Sequence, residues 1–177
     1  MAARELVINV ADLLRRPGAR RHERLSGPVG PLVVVDTTVA GGTPAELDVT
    51  LEWVSEGVLA SGSAATRWTS ACRRCLAPVD GPAEAEFREL FEPHAREGES
   101  YPLEGDRIDL EPLAREALLL SLPLAPLCRP DCAGLCPTCG ADLNLGPCPC
   151  PPEPADPRWA ALDQLAQLDQ LGDGPVP

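Results

Sequence analysis

The chain has 177 residues, 44% of them hydrophobic, enough for one domain with a real core and a small appendage but not for a multidomain machine. Its formal charge of −12 at pH 7 argues against a broadly basic nucleic-acid surface or an anionic-membrane binder. All 15 basic residues are arginine, and the lack of lysine removes Walker-type phosphate loops, Schiff-base enzymes and pyridoxal-phosphate catalysis.

Glu5 to Asp12 reads as a strand, and Asp12-Leu13-Leu14-Arg15-Arg16 as a short helical turn stopped by Pro17-Gly18. Residues 1–24 carry six arginines against three acids, a local +3, whereas residues 25–177 carry −15. The Arg-rich part of this stretch is expected to be an exposed arm. Glu5 and Asp12 interrupt what would be the apolar part of a signal peptide. The most apolar stretch, Ala117 to Leu127, is broken by Pro123 and Pro126, well short of the roughly 20 residues a membrane helix needs. The expectation is a cytoplasmic protein.

From Pro31 to Phe91 the pattern is β. Leu32-Val33-Val34-Val35 is apolar and β-branched, Leu47, Val49, Leu51 and Trp53 alternate, and Ser55-Glu56-Gly57 makes a hairpin turn into Val58-Leu59-Ala60. Further strands are expected over Ala64–Ala71 and Ala83–Phe91, with a loop over Gly98–Asp106. Asp109 is read as the N-cap of a helix with Leu110, Leu113, Ala114, Ala117, Leu118 and Leu120 on its apolar face, ended by Pro123. The expected fold is α+β: an antiparallel meander, one main packed helix, and a Pro/Cys-rich zinc-knuckle segment at the C-terminal end.

Twelve of the last 57 residues are proline, so residues 123–157 need something other than backbone ladders to hold a shape. Six of the eight cysteines lie there. A last segment over about 157–171, with Trp159, Leu162, Leu165 and Leu168 at helical spacing, reads as a short amphipathic helix that docks on the body or on a partner. The expected organisation is a body over 1–127 with its helix at about 109–122, a Cys-rich segment over 128–150 clamped to Cys72 and Cys75, and a Pro-rich tail over 151–177.

The cysteines form four close pairs: Cys72/Cys75, Cys128/Cys132, Cys136/Cys139 and Cys148/Cys150. A C-x-x-C turn presents two thiolates on one side of a tight loop, and tetrahedral Zn²⁺ takes four of them. Cys136-Pro137-Thr138-Cys139-Gly140 fits that turn and has Cys148-Pro149-Cys150 as its nearest partner; Cys72, Cys75, Cys128 and Cys132 would form a second centre. A single zinc with spare cysteines, a disulfide framework, and thiol redox chemistry at Cys136-Pro-Thr-Cys139 are the alternatives. The compartment disfavours disulfides, and Gly140, Asn144, Gly146 and Pro147 disfavour the helix that redox chemistry needs after Cys139. His94 sits in a loop-like context and receives no role. The acid pairs read as solvated surface, so no enzymatic constellation is found.

The order of these motifs carries a resemblance. Ile8-Asn9-Val10-Ala11-Asp12-Leu13-Leu14, Cys72-Arg73-Arg74-Cys75-Leu76-Ala77-Pro78-Val79, Ile108 to Glu116 followed by Leu122-Pro123, and Cys132-Ala133-Gly134-Leu135-Cys136-Pro137-Thr138-Cys139-Gly140-Ala141-Asp142-Leu143-Asn144 together resemble the YceD family, the large ribosomal RNA subunit accumulation proteins. The resemblance implies a cytoplasmic, non-enzymatic factor in large-subunit biogenesis that supports 23S rRNA accumulation, in a gene context shared with ribosomal protein L32. It supplies no catalytic residues. RNA contact, if direct, would fall to Arg15, Arg16, Arg20, Arg21 and Arg24 with Arg73, Arg74 and Arg129 beside the cysteines; scattered solvated arginines are the plain alternative. A second reading within the same biology is an adaptor or chaperone for a basic ribosomal protein such as L32.

Overall fold

The computed structural model describes residues 5–151, 156 and 158. The chain divides into two compact units, Met1–Gly134 and Leu135–Pro177. The expected tail helix at about 157–171 lies outside the described residues.

The first unit is built on one long hairpin. β6 (Val58–Ala71) and β7 (Pro78–Glu92) pair over their full length, from Val58↔Phe91 to Ala71↔Pro78. The other edge of β6 is shared: β5 (Pro44–Trp53) pairs with its first half, and the short β3–β4 hairpin (Leu32–Val34, Thr37–Val39) reaches its second half through Thr38↔Thr69. β5 sends Ala45, Leu47, Val49 and Leu51 inward and Glu46, Asp48, Thr50 and Glu52 outward, the period-2 pattern of a half-buried strand. The expected strands at 58–60 and 64–71 are one continuous strand, because Ser61-Gly62-Ser63 stays in register against both neighbours.

Four other expectations are corrected. The Arg-rich arm is a strand, β2 (Arg20–Pro28), paired with β5 from Arg20↔Glu52 to Pro28↔Pro44. β7 begins at Pro78 rather than Ala83, and the indole of Trp68 packs on Gly81 and donates to the Pro82 carbonyl at 2.8 Å. The segment expected to be a loop contains β8 (Tyr101–Glu104), which buries Leu103. Asp109 closes β9 (Arg107–Asp109) instead of capping the helix, although its carboxylate accepts the Glu111 N–H at 3.0 Å; Leu110 holds the cap position of α1 (Glu111–Ser121).

The meander therefore holds for β5–β6–β7 and then breaks. A turn-rich loop over 93–100 brings β8 alongside β7 in parallel, with Phe91 opposite Tyr101 and their rings stacked at 5.3 Å. β9 pairs antiparallel with β8, and β1 (Val7–Asn9) pairs with β9, so the start of the sheet meets its end at Val7↔Asp109. Among the described residues β7 has no strand on its second edge before Phe91. α1 lays Leu113, Ala114 and Leu118 against the sheet, and Arg115 donates to the carbonyls of Val29 and Pro31, both at 3.0 Å. No described helix is long and apolar enough to cross a membrane.

At Gly62 the backbones of β5 and β6 leave no room for a side chain: a Cβ there would lie 2.0 Å from the Asp48 carbonyl oxygen. Gly62→Ala should lose about 1–3 kcal/mol in urea unfolding, as an overpacked interior does. Gly41→Ala, where the nearest atom would be 3.9 Å away, should stay within about 0.5 kcal/mol of the parent.

Candidate metal centres

The turn of the long hairpin is the first C-x-x-C. Ala71↔Pro78 is the last pair of the ladder, and beyond it the Cys72 N–H bonds the Ala77 carbonyl at 2.7 Å while the Leu76 N–H bonds the Cys72 carbonyl at 2.9 Å. In the second unit the Cys136 N–H bonds the Ala141 carbonyl at 2.8 Å, and the Gly140 N–H bonds the Cys136 carbonyl at 2.9 Å. The two turns are the same structure, Cys-x-x-Cys followed by a left-handed residue and alanine. The left-handed residue is Gly140 in one (φ 72°) and Leu76 in the other (φ 61°).

Each turn meets a second pair of cysteines. Cys72, Cys75, Cys128 and Cys132 bring their sulfurs within 4.8 Å of one another, and so do Cys136, Cys139, Cys148 and Cys150. In the first group the Cys72–Cys132 and Cys75–Cys128 sulfurs are 3.8 and 3.6 Å apart. Four sulfurs at about 2.3 Å from a tetrahedral ion stand about 3.8 Å from each other, whereas a disulfide needs about 2.05 Å. All eight cysteines are free thiols. The donor set fits a tetrahedral metal ion at both places. No helix follows Cys139 among the described residues, so the dipole that would activate a redox C-x-x-C is missing there.

Electrostatics agree with the geometry. Backbone hydrogen bonds, that of Cys75 first, hold the Cys72 thiol down at about 6; those of Cys139 and Thr138 do the same for Cys136. Within the same clusters Cys128 is pushed up to about 12, chiefly by Cys132, and Cys150 to about 12, chiefly by Cys139. One thiolate per cluster forms readily and suppresses its neighbours. A divalent cation reverses that suppression, because it makes each further thiolate attractive.

The strap that delivers Cys128 and Cys132 lacks regular ladders, and single hydrogen bonds hold it. The Thr37 hydroxyl donates to the Pro123 carbonyl at 2.7 Å, the Arg73 N–H to the Pro126 carbonyl at 2.9 Å, and the Arg74 guanidinium to the Cys132 carbonyl at 2.8 Å. A Cβ on Gly134 would stand 3.1 Å from the Arg74 carbonyl oxygen, so the strap lies close on the turn. In the second unit the organiser is Asp142, to which the sequence motifs alone assign no role. It bridges Leu135 and accepts from both the backbone and the side-chain amide of Asn144 at 2.9 and 2.6 Å, turning the chain back towards Cys148 and Cys150. Its signal was the Asp-x-Asn spacing of an Asx turn.

The candidate RNA-contacting arginines fall into three groups. Arg73, Arg74 and Arg129 surround the first cysteine cluster, where Arg73 pairs with Asp36 at 3.1 Å and Arg129 with Asp131 at 3.4 Å. Arg20, Arg21 and Arg24 lie on β2 and pair with Glu52, with Asp12 and Glu23, and with Asp48. His22 joins Asp48 at 2.6 Å, and hydrogen bonds from His22 and then Arg24 hold that carboxyl below its ordinary range. Arg15 and Arg16 are exposed and form no ion pair among the described residues.

A β-rich body and a second unit, each carrying a Cys₄ cluster on the same turn, define a protein with two metal-type knuckles. Residues 60–166 match the family described as Large ribosomal RNA subunit accumulation protein YceD, and the chain belongs to that family. An uncharacterized protein of Mycobacterium tuberculosis is 38% identical over 92% of this chain and 82% of its own length, and one of Mycobacterium leprae is 36% identical over 93% and 79%. The chloroplastic large ribosomal RNA subunit accumulation protein YCED homolog 1 of Arabidopsis thaliana is 31% identical over 42% of this chain and 23% of its own. No solved structure matches.

Leu76 is 66% exposed, so its side chain returns little for a left-handed backbone that costs about 1–2 kcal/mol outside glycine. Leu76→Gly should raise thermal stability by up to about 1 kcal/mol after the extra unfolded-chain entropy is counted. Gly140→Leu should lower the stability of the second turn.

Proposed function

We propose that this protein is a non-enzymatic, cytoplasmic factor in large ribosomal subunit biogenesis that supports 23S rRNA accumulation, with a structural Zn²⁺ in each cysteine cluster. Membership of a family described by large-subunit rRNA accumulation carries the biological part. The metal part rests on the two clusters of four sulfurs. Cys72, Cys75, Cys128 and Cys132 would hold one ion, and Cys136, Cys139, Cys148 and Cys150 the other. Bound zinc supplies a cross-link and no reactive position, because four thiolates fill its coordination shell. The chain's own part is to bring the hairpin turn and the Pro-rich strap together so that the ion can join them. The contribution to stability is on the order of 10 kcal/mol per centre at neutral pH.

Direct RNA contact and contact with a basic ribosomal protein, such as L32, are the two ways such a factor could act. The ion pairs of Arg20, Arg21, Arg24, Arg73 and Arg129 favour the second, since a guanidinium already facing a carboxylate gains less from a phosphate. Arg15 and Arg16 remain the cations best placed for RNA.

Elemental analysis of the freshly purified protein should find two zinc per chain, and Cys75→Ser and Cys139→Ser should each lose one. Cys75→Ser should also lower the unfolding temperature of the β body, because its cluster ties that body's main hairpin to residues 128–132; Cys139→Ser should leave the body's transition in place. Zinc-free protein with a native spectrum would refute the metal assignment. Depletion in the parent organism should lower the ratio of 23S to 16S rRNA, and an unchanged ratio would refute the biological reading.

A further inference from the structure

A groove of about 310 Å³ runs on the first unit between α1, β7 and the loop before β8. Phe87 and Leu113 form its floor but are buried in the core, and the apolar side chain it offers to solvent is Leu120, with 82% of its surface exposed, the second most exposed large apolar residue described.

Three properties of the groove say what covers it. The first is charge. Glu86, Glu89 and Glu116 line it and form no ion pair among the described residues, whereas carboxylates elsewhere on the sheet, Asp48 and Glu52, are neutralised by arginines across β2 and β5. Glu99 is paired with Arg96, and Arg88 is the single cation in the lining. The second is that Tyr101 leaves the charge of Glu116 in place: its hydroxyl donates to Glu116 at 2.6 Å, and burial together with that carboxylate pushes its titration above the ordinary phenol range, so it supplies a neutral donor and no counter-charge. The third is backbone. Along Glu86–Glu89 the second edge of β7 has no strand partner among the described residues, and no other backbone hydrogen bond engages it. Glu84, Glu86 and Arg88 point outward along this edge, which keeps identical edges from pairing but not one of opposite charge.

We propose that this groove receives an extended, arginine- or lysine-rich segment of another protein. The segment adds a strand to the open edge of β7, sets an apolar side chain against Leu120, and places its cations by Glu86, Glu89 and Glu116. Main-chain pairing provides grip and the alternating side chains provide selection, as in other strand-addition complexes. A nucleic acid is repelled by the same carboxylates. The inference deepens the basic-partner reading given above and rests on it for its biological meaning.

The test uses the full-length, metal-loaded protein and a fluorescein-labelled peptide of Arg and Val with arginines at both odd and even positions, so that both faces of the added strand carry cations, followed by anisotropy. Saturable binding is expected, weakening as salt rises. The combined Glu86→Gln, Glu89→Gln and Glu116→Gln variant should bind about tenfold or more weakly, and Leu120→Ser several-fold more weakly, while Glu56→Gln binds as the parent does. Methylating alternate peptide amides so that one edge cannot donate should abolish binding. The inference is overturned by a triple variant within twofold of the parent, by undiminished binding of the methylated peptide, or by oligouridylate displacing the peptide from the parent but not from the triple variant. If the triple variant loses its native circular dichroism, Glu86→Gln and Glu116→Gln alone are compared, each expected to weaken binding about threefold. If the glutamates prove irrelevant while depletion still lowers 23S rRNA, the groove assignment fails and the proposed function stands; glutamate-dependent binding with normal 23S rRNA gives the reverse.

Discussion

Four thiol sulfurs within 4.8 Å of one another cannot all be ionised unless a cation sits among them. The first unit is arranged around that constraint. Its longest hairpin ends in a turn that carries two of the sulfurs, and its least regular segment, the strap after α1, carries the other two. The strap is proline-rich and makes few backbone bonds of its own, so its position depends on Thr37, Arg73, Arg74 and the sulfurs. A sheet with ordinary edges and a helix can stand on apolar burial alone; a strap of this composition cannot.

The same turn appears once at the end of a ladder and once in a segment that has almost no ladder. In the second unit Gly140 takes the left-handed position without penalty, and Asp142 does by hydrogen bonding what the β6–β7 hairpin does by pairing. In the first, the hairpin holds the turn rigidly enough for an exposed leucine to be tolerated there. Local strain can persist where surrounding structure over-determines the backbone.

What could be read from residue order alone follows the range of the interactions. The cysteine pairs, the apolar face of α1 and the alternation of β5 are local patterns, and they were visible. β2 was not, because Arg20-Arg21-His22-Glu23-Arg24 has no apolar alternation; it is a strand only because Glu52, Asp48 and the backbone of β5 face it. β8 carries a single buried residue, Leu103, and the pairing of β1 with β9 joins residues about a hundred positions apart, which no short window registers. The grouping of the cysteines was legible as two sets of four, while the matching backbone of the two turns and the part played by Asp142 needed coordinates.

The pairing of Val7 with Asp109 also sets an order of events during synthesis. Strands β5 to β7 can assemble as they leave the ribosome, but the first strand waits unpaired until β9 has been made, and the sulfurs of Cys72 and Cys75 wait longer still, until residue 132 has emerged. Assembly of the first cysteine group thus waits for the last residues of the body, and a nascent chain that stalls before its strap is complete presents Cys72 and Cys75 without the two sulfurs that complete their group.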